Sequence, residues 1–174
     1  MSDEDPASPP QLAANMKAAT DALTPEAKRV DAAALRLQAL LDAVEEMLAE
    51  WAPLADGAAG ETETLIGAWR RTHLNHREDL SAAMVALGAE PAKDAVLGPA
   101  LRQAGATLHV GALGVRRTSL SPLLRRENLL LDLYDATGGA DPEHRHMLDR
   151  HRAELVRLGN RTQDLIDGIR PGEA

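Results

Sequence analysis

Three histidines and a few acids occupy positions where helical periodicity calls for apolar side chains. At about 100° per residue, His76 falls near the centre of a face that also carries Leu65, Trp69, Leu80, Ala83 and Leu87, with His73 toward its edge. Arg70, Arg71, Arg77 and Glu78 project elsewhere. The same projection sets Glu127 among Leu120, Leu124, Leu131 and Tyr134, and His151 among Met147, Leu155 and Leu158, with Glu154 at that stripe's edge. Glu45 flanks the stripe of Leu41 and Leu48, whereas Glu46 and Glu50 project to the opposite side. Imidazoles and carboxylates gathered in an apolar interior are the donor set of a transition-metal site. An ionised carboxylate cannot stay in such an interior alone, because desolvation forces it to take up a proton or find a histidine, an arginine, water or a cation. Glu45, His73, His76, Glu127, His151 and Glu154 are therefore the candidate metal ligands.

Four helices would position these groups. Helix A, about 25 to 51, opens on Thr24-Pro25-Glu26, a cap residue, a proline suited to the first turn and an acid favoured by the helix dipole. Its stripe runs Val30, Ala33, Ala34, Leu37, Leu40, Leu41, Val44, Leu48 and Trp51. Pro53 and Asp56-Gly57-Ala58-Ala59-Gly60 break it. Helix B, about 61 to 87, should end at Gly88. Helix C, about 119 to 136, should stop at Thr137-Gly138-Gly139, and Asp141-Pro142-Glu143 repeats the opening signature before helix D, which ends at Arg170-Pro171-Gly172. The segment from Gly88 to Thr118, too long for a hairpin and too apolar for a linker, reads as a crossover with a short helix near 98 to 110. Residues 1–24 read as a disordered extension with a short helix from Leu12, residues 25–170 as the bundle, and 171–174 as a tail.

Short loop, long connection, short loop is the connectivity of a four-helix bundle with one crossover. Depth agrees with this. Glu127 precedes the C to D turn by about as many residues as His151 follows it, which puts both about 17 Å along antiparallel helices, and Glu45 and the His73/His76 pair lie about 18–24 Å from the A to B turn.

Composition narrows the chemistry. Cysteine is absent from the 174 residues, which excludes disulfides, thiolate metal sites and cysteine nucleophiles. An excess of Ala and Leu, with no Phe, two Trp and one Tyr, favours an all-α fold. A net charge of -8 repels phosphate backbones, so nucleic acid is not an expected partner. No run approaches the roughly 20 apolar residues of a membrane span. The acidic, proline-rich start MSDEDPASPP lacks signal-peptide character, and a cytoplasmic location is expected. Nucleophile elbows, phosphate-binding loops and His-Glu-x-x-His are also missing.

The stretches LGAEPAKDAVLGPALRQAGATL and RRENLLLDLYDATGGADPEHRHMLDRHRAELVRLG resemble ferritin-like four-helix bacterial proteins, uncharacterised relatives of bacterioferritins and rubrerythrins. The likeness covers about residues 30 to 168 and rests on Leu87-Gly88-x-x-Pro91, on Glu127 seven residues before Tyr134 and on Pro142-Glu143. Such sites take a Glu from each of two helices and a Glu-x-x-His pair from each of the other two. The resemblance would make Glu45 and Glu127 the single acids, with His73-x-x-His76 and His151-x-x-Glu154 standing for the pairs. Neither Glu-x-x-His is intact, which leaves mono- or dinuclear Fe, Zn, Mn or no metal open.

The leading expectation is a ferritin-like bundle that binds a transition metal for storage, sensing or oxidative-stress protection, with no reaction assigned. The alternatives are a metal-free interaction or stress scaffold, in which the polar cluster fixes helix register, and a bundle that binds a small molecule. Leu129 and Leu133 form a second apolar strip, to be covered by the crossover or by a second copy in a homodimer. Arg116-Arg117 and Arg125-Arg126 read as solvated charges, and His144 as a weaker candidate near the start of helix D.

Overall fold

The structure is a computed structural model that describes residues 25–92 and 120–168. The expected accessory helix, crossover helix and tail lie outside these residues. The described residues form four α-helices and one 3-10 segment, without strands: α1 Pro25–Trp51, the 3-10 segment Ala52–Gly57, α2 Gly60–Ala86, α3 Leu120–Ala140 and α4 Arg145–Asp167. The helices pack against one another as a bundle, α3 along α4 and α4 along α2. The chain divides into two compact units at Ala33/Ala34. Of the first unit the described part is the opening turns of α1, and everything below concerns the second.

Apolar spacing explains the packing. Leu37, Leu40, Leu41, Val44, Met47 and Trp51 recur every three to four residues on α1, and all are buried. They join Leu65, Ile66, Trp69, Leu80 and Met84 of α2, Leu120, Leu123, Leu130 and Tyr134 of α3, and Leu148, Leu155 and Leu165 of α4 in one core. Pro53 turns the end of α1 into the 3-10 segment, whose Leu54 is buried.

The end of α2 follows from one glycine. Gly88 sits at φ +77°, and its N–H donates to Val85 O while that of Ala89 donates to Met84 O, at 2.9 and 3.0 Å. This paired closure requires a left-handed residue just past the helix.

The expected stop at Thr137-Gly138-Gly139 is not where α3 ends. The helix runs on to Ala140, with Thr137 and Gly138 buried. Neither Gly138 nor Gly139 takes a positive φ, and a glycine inside a helix costs only about 1 kcal/mol relative to alanine. Burial holds the turn, and Asp141-Pro142 ends it. Consequently α4 opens later than its signature suggests, at Arg145, after Asp141 Oδ1 has accepted the N–H of His144. His144, a candidate ligand, is spent locally on Asp141, with Nδ1 at 3.0 Å from Oδ2.

Candidate functional site: a buried imidazole and carboxylate network

Trp51, Trp69, His73, His76, His151 and Tyr134 form a continuous aromatic column through the second unit. Trp51 stacks on Trp69 with centroids 5.3 Å apart, and Trp69 on His73 at 5.6 Å. His73 meets His76 edge-on, and His76 stacks on His151 at 3.9 Å with an interplanar angle of 11°. Tyr134 sets its ring edgewise against both of those imidazoles. The chain's two tryptophans and its only tyrosine all lie in this column. Helical spacing places them there, since Trp69, His73 and His76 occupy successive turns of α2 and Glu127 and Tyr134 lie two turns apart on α3.

Most of the polar atoms that this column buries are satisfied from another helix. On α3, Glu127 Oε1 accepts Trp51 Nε1–H at 2.7 Å and His73 Nε2–H at 2.8 Å, joining α1, α2 and α3 at one oxygen. His76 Nε2–H donates to Glu154 Oε2 of α4 at 2.9 Å. In the reverse direction His151 Nε2–H of α4 donates to Asp79 Oδ2 of α2, also at 2.9 Å, and Arg150 Nη2 joins the same oxygen. The Tyr134 hydroxyl lies 3.2 Å from His76 Nδ1 and 3.5 Å from His151 Nδ1. Trp69 Nε1–H donates to Thr162 Oγ1, whose own hydroxyl returns to Leu158 O. Glu127 Oε2 and His73 Nδ1 are buried without a hydrogen bond.

The electrostatics follow from this burial. Desolvation, with His151, His73 and Arg150 adding repulsion, pushes the His76 pKa down to about 2, so that ring is neutral. His151 is also lowered by burial, against the opposing pull of the Asp79 carboxylate. That hydrogen bond from His151 holds Asp79 below the usual carboxylate range. Burial, reinforced by Glu127, Glu154 and Asp79, raises Tyr134 and keeps it a phenol.

Five of the six candidate ligands therefore belong to this network, and the sixth does not. Glu45 is exposed on α1; it lies at the boundary of its stripe, and the helix turns it to solvent. Its neighbours behave contrary to expectation. Glu46 Oε1 accepts Arg126 Nη2 at 2.5 Å, and Glu50 pairs with Arg126 Nη1, so the arginine expected to be solvated is buried in a clasp between α1 and α3. Arg126→Met should lower the unfolding free energy by about 1–3 kcal/mol, because two acids lose a charged hydrogen-bond partner. Urea denaturation measures this, and an unchanged midpoint would contradict the clasp.

Asp79 and the hydroxyl of Tyr134 are among the network members that apolar stripes do not mark as functional. The available signal for Asp79 was its position three residues after His76, on the same face.

A ferritin-type or zinc-type centre needs three or more side-chain donors aimed at one point, each about 2.0–2.3 Å from the ion. Among the described residues no group of three His, Cys, Asp or Glu is placed to hold a metal ion. The three buried Nε2 atoms face three different carboxylates. His76 and His151 both set Nδ1 near the Tyr134 hydroxyl, at 3.2 and 3.5 Å, and the phenol oxygen occupies the point those two atoms share. As arranged, these residues do not fit a resident metal.

Fold and site together define an all-helical bundle with a buried imidazole, carboxylate and phenol network. The chain matches no family model, no curated protein and no solved structure.

Proposed function

We propose that this protein is a helical scaffold whose interior network fixes the register of its helices, leaving the outer faces for an interaction partner. The observation that carries the reading is the commitment of each buried imidazole to a carboxylate on another helix: His73 to Glu127, His76 to Glu154, and His151 to Asp79. Sliding α4 by one turn against α2, about 5.4 Å, would break two of these pairs at once and strand their donors in an apolar core. A polar network of this kind discriminates against misregistered packing even where apolar contacts would tolerate it. Ferritin-like connectivity is part of the proposal and rests on the two short connections and the long stretch between α2 and α3. Leu35, Val85 and Leu129 are large apolar side chains exposed to solvent, with Leu129 at 52 %. They are the natural contacts for a second copy or another protein.

The rival is the transition-metal reading. Metal content after tag-free purification, combined with thermal melting in the presence and absence of a chelator, separates the two. The scaffold reading predicts substoichiometric metal and a melting temperature unmoved by chelator. Stoichiometric Fe, Zn or Mn, with a melting temperature that drops on chelation, would replace it with the metal reading. No helix among the described residues is long and apolar enough to cross a membrane.

A further inference from the structure

We propose that Asp79, His151, Tyr134, His76 and Glu154 make up a single proton-binding site. The line takes up one proton beyond its neutral complement, on the stacked imidazole pair, and holds it between two carboxylates that reach solvent. The inference rests on the network reading above and follows from a count of hydrogens. Four contacts join the five groups: Asp79 to His151 Nε2 at 2.9 Å, His151 Nδ1 to the Tyr134 hydroxyl at 3.5 Å, that hydroxyl to His76 Nδ1 at 3.2 Å, and His76 Nε2 to Glu154 at 2.9 Å. Each contact needs one hydrogen. With both carboxylates ionised, each neutral imidazole supplies one N–H and the phenol one O–H, which makes three hydrogens for four contacts.

In that three-hydrogen state both Nε2–H groups go to the acids and Tyr134 gives its O–H to His76 Nδ1. His151 Nδ1 then faces the phenol oxygen, lone pair to lone pair. This contact is the longest of the four. A proton added at His151 Nδ1 completes the line: the imidazolium donates to both Asp79 and Tyr134 O, the phenol donates to His76, and His76 donates to Glu154. Every donor has an acceptor, and the added charge lies against a carboxylate.

A second proton is excluded by the stack. Two cations with ring centroids 3.9 Å apart would repel strongly in a setting with little water to screen them. The groups around the pair are His73, His76 and Asp79 from α2, Tyr134 and Glu127 from α3, and Arg150 and Glu154 from α4, while α1 reaches the network through Trp51, which does not titrate. Each ring has a carboxylate on Nε2 at 2.9 Å, so the choice falls to the phenol: its closer contact is with His76 Nδ1, which leaves His151 Nδ1 as the vacant acceptor and His151 as the resting place. The proton can shift without charging the phenol. When His151 Nδ1–H passes to Tyr134 O as the Tyr134 O–H passes to His76 Nδ1, one hydrogen leaves the oxygen as another arrives, and the cation moves from His151 to His76. The side chains of Asp79 and Glu154, 44 % and 32 % exposed, give the two ends access to solvent.

Nitrogen-15 NMR of the full chain labelled at histidine, followed from pH 8 downward while circular dichroism confirms the fold, tests the site. The expected result is one ring gaining hydrogens on both nitrogens, with the other remaining neutral and protonated at Nε2. The ring that titrates should be absent from His151→Gln and present in His76→Gln, so the assignment survives if one of these variants fails to fold. Tyr134→Phe should move the protonation midpoint to lower pH, since the imidazolium loses an acceptor. Two rings that titrate independently, no ring that titrates, or a midpoint unmoved in Tyr134→Phe would overturn the proposal. If the Nε2–H tautomers persist in that event, the register network stands and only the proton site falls. Loss of those Nε2 hydrogens to a bound metal would remove both readings.

Discussion

Replacing Glu127 with alanine should lower the unfolding free energy by about 3–5 kcal/mol, the cost of removing one member of a buried polar pair. The carboxylate is nearly inaccessible, at 1 % exposure, and its Oε1 is the acceptor for both Trp51 Nε1–H and His73 Nε2–H. Alanine leaves both N–H groups without a partner in a place water does not reach, each at about 1–3 kcal/mol, and removes the buried stem as well. Glu127→Gln keeps the volume and a carbonyl oxygen but brings an amide NH2 into the same space, so its loss should be smaller yet still measurable. Urea unfolding followed by circular dichroism reads both variants. A loss below about 1 kcal/mol in Glu127→Ala would mean that this junction of three helices contributes little.

Acid should destabilise the bundle well before its carboxylates protonate. The His76 pKa lies near 2 in the folded chain, against 6.5 for a free imidazole. Between those values the unfolded chain binds a proton that the folded one refuses. Stability is thus fully present above pH 6.5 and falls as the pH drops below it. For a single fully buried group the slope approaches about 1.4 kcal/mol per pH unit, so a loss on the order of 3 kcal/mol is expected by pH 4.5. His151, lowered in the same direction, adds to the loss as the pH falls below 6.5. Asp79 acts separately: its depressed pKa contributes stability above its ordinary value of 3.8 that disappears only at lower pH. Chemical denaturation at half-unit intervals from pH 7.5 to 4.5 tests this, with His76→Gln as the control expected to flatten the curve. A wild-type midpoint constant across that range would mean that His76 is not held neutral by the fold.

The helices and much of the cluster could be read from spacing alone, because burial on a helix is a matter of angle. His73, His76, Glu127 and His151 sit within stripes of Leu and Trp, and the fold buries all four. Residues with long or boundary side chains escaped that logic. Arg126 neighbours Glu127 and projects off the core face, yet its aliphatic stem lets the guanidinium reach back to Glu46 and Glu50 on α1. Glu45 shows the opposite error, since a boundary position can rotate to solvent with little penalty. Asp79 was hidden because its side chain is partly exposed and becomes significant only through His151, 72 residues away in the chain. The double glycine at 138–139 illustrates a tertiary override, in which buried turns of α3 outweigh a weak local preference.

A double-mutant cycle on His73 and Glu127, comparing the unfolding free energies of wild type, His73→Ala, Glu127→Ala and the double variant, tests most directly whether the buried network acts as a unit. The account predicts a coupling of about 1–3 kcal/mol, with the double variant far less damaged than the sum of the two single losses. Losses that simply add, to within about 0.3–0.5 kcal/mol, would show that these residues share space without sharing stabilisation, and would contradict the claim that the polar interior fixes the bundle.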